Sequence, residues 1–271
     1  MMGSNGRLAL HTWTLDTTPL ATVLSVAKRT GWDAIELRRL DFARAREAGQ
    51  SAEAVLAMVK GSGLPVGCVG VQLGWLFAEG AERAELLRAF EESCRWAVAL
   101  ECATIMSPVD PGSGPLERAV ESVREVGEIA GRYGVRLALE FNSVCRQFNT
   151  LPRVRELLQA AGHPHCGILL DTYHLGRSGA TLDAVRELPP AEIAYVQYSD
   201  PPRVHPQAGA ALDRLPPGQG IYPFAEFFRI VREKGYPGYL SYEAPNPASW
   251  ARDPETVVRE ALTATRERLG E

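Results

Sequence analysis

The amino-acid sequence predicts an α/β protein of the (β/α)8 barrel class. Three observations carry that expectation. Short apolar runs alternate with amphipathic stretches rich in Ala, Glu and Arg, the pattern of βαβ units around a parallel sheet. The alternation occurs eight times in 271 residues, the size of one such barrel. The first strand-to-helix turn, "LHTWTLDTTP", has no Gly-rich phosphate fingerprint, which counts against a doubly wound open sheet, the runner-up.

The units follow in order. "RLALHTW" (7–13) is the first strand; "PLATVLSVAKRTG" follows it, with Pro19 suited to a first helical turn and Gly31 to a C-cap. "AIELR" (34–38) precedes a helix near 51–60, and "PVGCVGVQL" (65–73) precedes one near 80–99. "ATIMSPV" (103–109) leads to a helix near 115–132, and "VRLALEFN" (135–142) to one near 152–161. "CGILLDTYH" (166–174) reads as a strand before a short helix near 181–188. "IAYVQYSD" (193–200) opens a long Pro- and Gly-rich loop to about residue 220, then a helix near 222–234. "GYLSYEAPNP" (238–247) is the last strand and 254–269 the last helix, opened by Asp253-Pro254. Basic residues beside the closing glycines, as in "AKRTG" and "REKG", complement the negative helix end. No Pro- or Ser-rich linker divides the chain, so residues 1–271 are expected to form one domain.

Composition narrows the function classes. Hydrophobic residues make up 45% and charged residues 23%, as in soluble globular proteins. The net charge is −4 and no Lys/Arg-rich run occurs, so neither nucleic acid nor an anionic membrane is an expected partner. The five cysteines (Cys68, Cys94, Cys102, Cys145, Cys166) are scattered without a C-x-x-C pair, which reads as buried reduced thiols. "MMGSNG" has no apolar signal-peptide core, and no run is long enough to span a bilayer. A cytoplasmic protein is the expectation, and a homo-oligomer is left open.

In this barrel class the active site lies at the C-terminal ends of the strands. Those ends carry His11 and Trp13, Glu36 and Arg38, Gln72, Glu140 and Asn142, Asp171 and His174, Gln197 and Asp200, and Glu243 and Asn246. Four consecutive strands end on an oxygen-bearing side chain at equivalent depth: Glu140 after "LAL", Asp171 after "ILL", Gln197 after "AYV" and Glu243 after "LSY". Three converging carboxylates would repel and raise one another's pKa values unless a cation sat among them. Their all-oxygen set suits Mn²⁺ or Mg²⁺ better than Zn²⁺. Each of these residues taken alone also reads as a loop anchor or helix cap. His11 and Trp13 read equally as a wall for a sugar ring or as packing. Glu36 could touch substrate hydroxyls or pair with Arg38. His205 reads as a surface residue.

These residues carry a resemblance. "LALEFN", "LLDTYH", "VQYSD", "RLPPGQG" and "GYPGYLSYEAPNP" resemble the xylose-isomerase-like barrel superfamily of sugar-phosphate isomerases and epimerases, over nearly the whole chain. The resemblance implies that Glu140, Asp171, Gln197 and Glu243 hold one divalent ion. It implies that His174 and Arg214 contact the substrate, a small carbohydrate-like molecule. Many epimerase relatives carry His where this chain has Gln197; Gln there resembles some 3-dehydroshikimate dehydratases. Glu140 and Glu243 are then the candidates for moving protons α to a carbonyl. The leading expectation is a metal-dependent isomerase or epimerase working through an enediolate. The alternatives are a dehydratase and a non-catalytic barrel of the same family.

Overall fold

A computed structural model of the chain describes residues 6–203 and 211–271. Eight parallel strands close on one another in sequence order. They are β1 (Arg7–His11), β2 (Ala34–Leu37), β3 (Val66–Gly70), β4 (Thr104–Pro108), β5 (Arg136–Glu140), β6 (Cys166–Asp171), β7 (Ile193–Tyr198) and β8 (Tyr239–Tyr242). The helices among the described residues are α1 (Leu20–Thr30), α2 (Arg39–Glu47), α3 (Ala52–Ser62), α4 (Gly80–Ala99), α5 (Leu116–Arg132), α6 (Leu151–Ala161), α7 (Thr172–Arg177), α8 (Leu182–Arg186), α9 (Phe224–Glu233), α10 (Pro247–Trp250) and α11 (Pro254–Leu269). Short 3-10 segments follow β1 and precede β7.

The strands are apolar on both faces because each face has a different partner. Leu10, Ile35, Leu139, Leu170, Val196 and Tyr242 belong to the large core shared with the helices. Their neighbours in sequence point the other way. Cys68, Met106, Ala138, Leu169 and Tyr195 form a second cluster, which fills the barrel interior. A strand returns to the same face every second residue. Two residues beyond Ala138, Leu169 and Tyr195 therefore stand Glu140, Asp171 and Gln197, stacked on that interior layer at the barrel mouth. Ser241 and Glu243 repeat the step after β8, and Ala9 and His11 repeat it on β1. The register agrees: Asp171 lies opposite Gln197, and His11 opposite Glu36.

Four local features differ from the sequence reading. β6 stops at Asp171, whose Oδ1 accepts from Tyr173 N at 2.9 Å, so α7 begins where a strand was expected to continue. A helix, α2, follows β2 directly; its run "RLDFARARE" is too charged to show an apolar stripe. β8 is four residues long, and Asn246 caps α10 by accepting from Ala248 N at 3.0 Å. Glu36 does not pair with Arg38, which instead holds Asp16 at 2.5 Å and Asp41 at 3.2 Å. His205 lies outside the described residues.

All five cysteines are buried and none is disulfide-bonded. No helix among the described residues is long and apolar enough to cross a membrane.

Candidate active site

A cavity of about 600 Å³ opens at the C-terminal ends of the strands. Glu140, Glu243, His174, Arg214 and His11 line its inner end. Trp13, Phe42, Leu73 and Trp96 give the outer part apolar walls.

Arg214 sits at the centre of the inner end, although it comes from a loop. Its Nη1 donates to Asp171 Oδ2 and to Glu243 Oε2, each at 2.7 Å. Its guanidinium lies 4.4 Å from the centre of the Tyr173 ring, a cation–π contact. Tyr173 is fixed in turn by its hydroxyl, which donates to Asp213 Oδ1 at 2.5 Å. The loop is anchored by Asp200. That buried carboxylate accepts from Gly218 N and Gly220 N, each at 2.8 Å, and from Tyr222 N at 2.9 Å. Asp200 and Leu215 also exchange backbone hydrogen bonds, directly beside Arg214. Asn246 Nδ2 closes the loop from the other side by donating to Arg214 O at 3.1 Å.

One ligand atom from each of Glu140, Asp171 and His174 lies within 4.8 Å of the other two, and all three residues are buried. Burial holds the Glu140 carboxyl well above the usual carboxylate range; the charges of Glu243 and Asp171 push the same way and Arg214 opposes them. Burial likewise raises Glu243, against the attraction of Arg214. His174 is held neutral: burial lowers its pKa to about 3, with Asp171 opposing and the charge of Arg214 assisting. Ser143 N and Oγ stand 3.2 and 2.8 Å from His174 Nδ1, and Arg214 Nη2 stands 3.3 Å from Nε2, with Glu140 Oε1 3.7 Å from the same nitrogen.

The second layer lies deeper. Glu36 is fully buried, and its Oε1 accepts from Gln197 Nε2 at 2.8 Å. Burial, together with the charge of Glu243, pushes its carboxyl up to about 8, although hydrogen bonds, one from Gln197, pull it back. His11 accepts from Trp13 N at Nδ1, and its Nε2 stands 3.2 Å from Glu243 Oε1 and 3.6 Å from Glu36 Oε1.

The structure thus brings Glu140, Asp171, His174, Arg214 and Glu243 together, with His11 and Trp13 on the cavity wall. It puts Glu36 beneath the cavity rather than on its wall, and it turns the amide nitrogen of Gln197 toward Glu36. Tyr173, Ser143 and Asp200 were not singled out for these roles in the sequence. Tyr173 stands between Asp171 and His174 in "DTYH", and Asp200 reads in the sequence as a strand-end residue before a long loop, with nothing to mark it as the loop's anchor.

The donor set can be tested against a divalent cation. Glu140 Oε1 and Gln197 Oε1 are buried polar atoms with no hydrogen-bond partner among the described residues. Buried oxygens of this kind are costly unless something satisfies them. Arg214 bonds Asp171 and Glu243, and the charge of Glu140 also acts on it. A buried cluster of Glu140, Asp171 and His174 with unsatisfied oxygens beside it fits a divalent ion.

Comparison with known proteins agrees with this architecture. The family model described as xylose isomerase-like TIM barrel matches residues 24–268. The chain belongs to that family. Among curated relatives of this xylose isomerase-like barrel, a 3-dehydroshikimate dehydratase of Pseudomonas putida is 33% identical over 141 residues, 49% of this chain and 21% of the relative. An inosose isomerase of Halalkalibacterium halodurans is 28% identical over 148 residues, 54% of this chain and 52% of the relative. The chain therefore spans about half, or less, of the length of these relatives. Among solved structures, the IOLI protein with a binding zinc atom superposes with a TM-score of 0.87 at 18% identity, over 97% of this chain and 98% of that one. At that identity the likeness concerns the fold.

Proposed function

We propose that this xylose isomerase-like barrel is a divalent-metal-dependent isomerase or epimerase of a polyhydroxylated carbonyl compound, a sugar or sugar phosphate. The observation that carries the reading is the pairing of Glu140 and Glu243. Both carboxylates face one cavity beside Arg214, and burial raises the pKa of both. Two carboxylates facing one cavity can serve as the base that takes a proton α to a carbonyl and the acid that returns it. Glu140 and Glu243 take and return that proton at the substrate carbon. Arg214 offers its guanidinium N–H groups to substrate oxygens, with the His174 ring beside it. Trp13 and the apolar wall exclude water from the enediolate.

Glu140, Asp171, Gln197 and Glu243 would hold the ion, with His174 adjoining. When bound, the ion acidifies the substrate C–H by polarising its carbonyl. Hard oxygen donors favour Mn²⁺ or Mg²⁺.

Dehydration is the second reading. It is supported by the 33% identity to a 3-dehydroshikimate dehydratase and by an amide at position 197. Loss of a β-hydroxyl from the same enediolate would give it. A barrel that keeps its pocket without turnover is a third reading; the presence of both Glu140 and Glu243 speaks against it.

The test is calorimetric titration of Mn²⁺ into the metal-stripped protein, with Glu243→Gln beside it. About one ion per chain, bound more weakly by the variant, is the expected result. No binding by folded wild type sinks the four-ligand site. With Mn²⁺ present, deuterium uptake from heavy water into a ketose marks the isomerase; new ultraviolet absorbance from 3-dehydroshikimate marks the dehydratase.

A further inference from the structure

Gln197 is the weakest donor in the proposed metal site, because an amide has two ends of similar shape and only the oxygen can hold a cation. The barrel register fixes where the side chain stands and leaves undecided which end faces the ion. Glu36 decides it. Its Oε1 accepts from Gln197 Nε2 at 2.8 Å, and both residues are fully buried.

His11 stands beside the pair. Because Trp13 N donates to its Nδ1, the neutral ring carries its proton on Nε2, and that nitrogen stands 3.6 Å from the same Glu36 oxygen. The same nitrogen is nearer to Glu243 Oε1, at 3.2 Å, so the hydrogen bond to Glu36 Oε1 is the one from the Gln197 amide. The amide nitrogen faces Glu36, and the amide oxygen faces away. That oxygen is buried and has no hydrogen-bond partner among the described residues. Glu36 is not part of the cavity wall, so its use lies in what it holds.

We propose that Glu36 is a positioning residue for the metal site: by accepting from the Gln197 amide nitrogen it turns the amide oxygen outward as a ligand. This rests on the metal reading above. Carboxylates that orient metal-ligating side chains typically change metal affinity 10–100-fold when removed. The pair also gives an amide ligand the support that a carboxylate gives a ligating imidazole.

The test is a double-mutant cycle read as Mn²⁺ affinity by calorimetry, with circular dichroism and the thermal midpoint reporting the fold. Glu36→Leu should weaken Mn²⁺ binding about 10–100-fold when Gln197 is present. It should change nothing further in a Gln197→Ala background. Glu36→Gln, whose amide oxygen can still accept, should recover part of the affinity. If Glu36→Leu does not fold, Glu36→Met, which also lacks the accepting carboxylate, carries the same cycle. Equal weakening in both backgrounds, or none in either, overturns the proposal, since Glu36 would then act by general charge or not at all. Wild type that binds Mn²⁺ with Glu36 indifferent leaves the metal reading standing and removes only this inference. Folded wild type that binds no Mn²⁺ removes both.

Discussion

Arg214 Nη1 lies 2.7 Å from Asp171 Oδ2, with both side chains buried, and it reaches Glu243 Oε2 at the same distance. The guanidinium therefore ties the ends of β6 and β8 together across the mouth. Its charge opposes the raised pKa values of Glu140 and Glu243. In the absence of an ion it is the counter-charge that lets these carboxylates coexist.

Removing it should therefore cost stability. Breaking a buried ion pair from one side leaves an uncompensated charge, at about 3–5 kcal/mol. Metal-stripped Arg214→Met should unfold at a clearly lower denaturant midpoint than wild type. Added Mn²⁺ should restore part of that loss, because the cation and the guanidinium relieve the same repulsion. A variant as stable as wild type without metal would show that the carboxylates are already protonated.

His174 should leave an acid-side signature. Its folded pKa is lowered to about 3, whereas an unfolded histidine takes its proton near pH 6.5. Below pH 6.5 the unfolded chain binds a proton that the folded chain refuses. The stability conferred by neutral His174 is thus complete above pH 6.5 and is lost as the pH falls toward 3. Glu36 and Glu140 act in the opposite direction, since their folded forms hold protons more tightly. The informative quantity is therefore a difference. Between pH 7 and 5, metal-free wild type should lose on the order of 2 kcal/mol more than His174→Asn, measured by urea unfolding.

The barrel was legible because its signal is repeated. Eight apolar runs and the two-residue period within each place Glu140, Asp171 and Gln197 one layer above Ala138, Leu169 and Tyr195. That inference needs no tertiary information. Glu36 lay on the same layer in the sequence, but sequence cannot say whether a carboxylate faces a cavity or an amide across the barrel. Its partner, Gln197, is 161 residues away. The start of α7 was hidden for a related reason. "DTYH" reads as strand or helix until Asp171 is seen accepting from Tyr173 N. Charge concealed α2, whose helix is held by Arg38 and Asp41 rather than by an apolar stripe.

The cysteines should be inert while the chain is folded. Burial pushes the Cys94, Cys102 and Cys166 thiols up to about 12 and Cys145 up to about 11, and holds Cys68 higher than its ordinary value. The thiolate is the reactive form, so at pH 8 the native protein should react with a thiol-specific chromogenic disulfide only on the timescale of unfolding. All five thiols should titrate at once in denaturant. A fast-reacting thiol in the native protein would mean that one of these sites opens locally.

Asp200 should control the reach of Arg214 without touching the site. It gathers three backbone N–H groups from Gly218, Gly220 and Tyr222, so the loop folds back over the end of β7. Gly220 has no room for a side chain there, because a Cβ would collide with Pro201 O and lie 2.5 Å from Asp200 Oδ1. Asp200→Ala would strand three donors in a partly buried loop. Charge-assisted hydrogen bonds of this kind are worth about 1.5–3 kcal/mol each, and water recovers part of that in a loop. A net destabilisation of about 2–3 kcal/mol is expected. The more telling readout is local. Limited proteolysis should cut the variant between β7 and α9 faster than wild type, at a temperature where both keep native circular dichroism. If Arg214 is held in the site by this anchor, Asp200→Ala should also reproduce a fraction of the instability of metal-free Arg214→Met. In the doubly substituted chain the two losses should then fall short of additive.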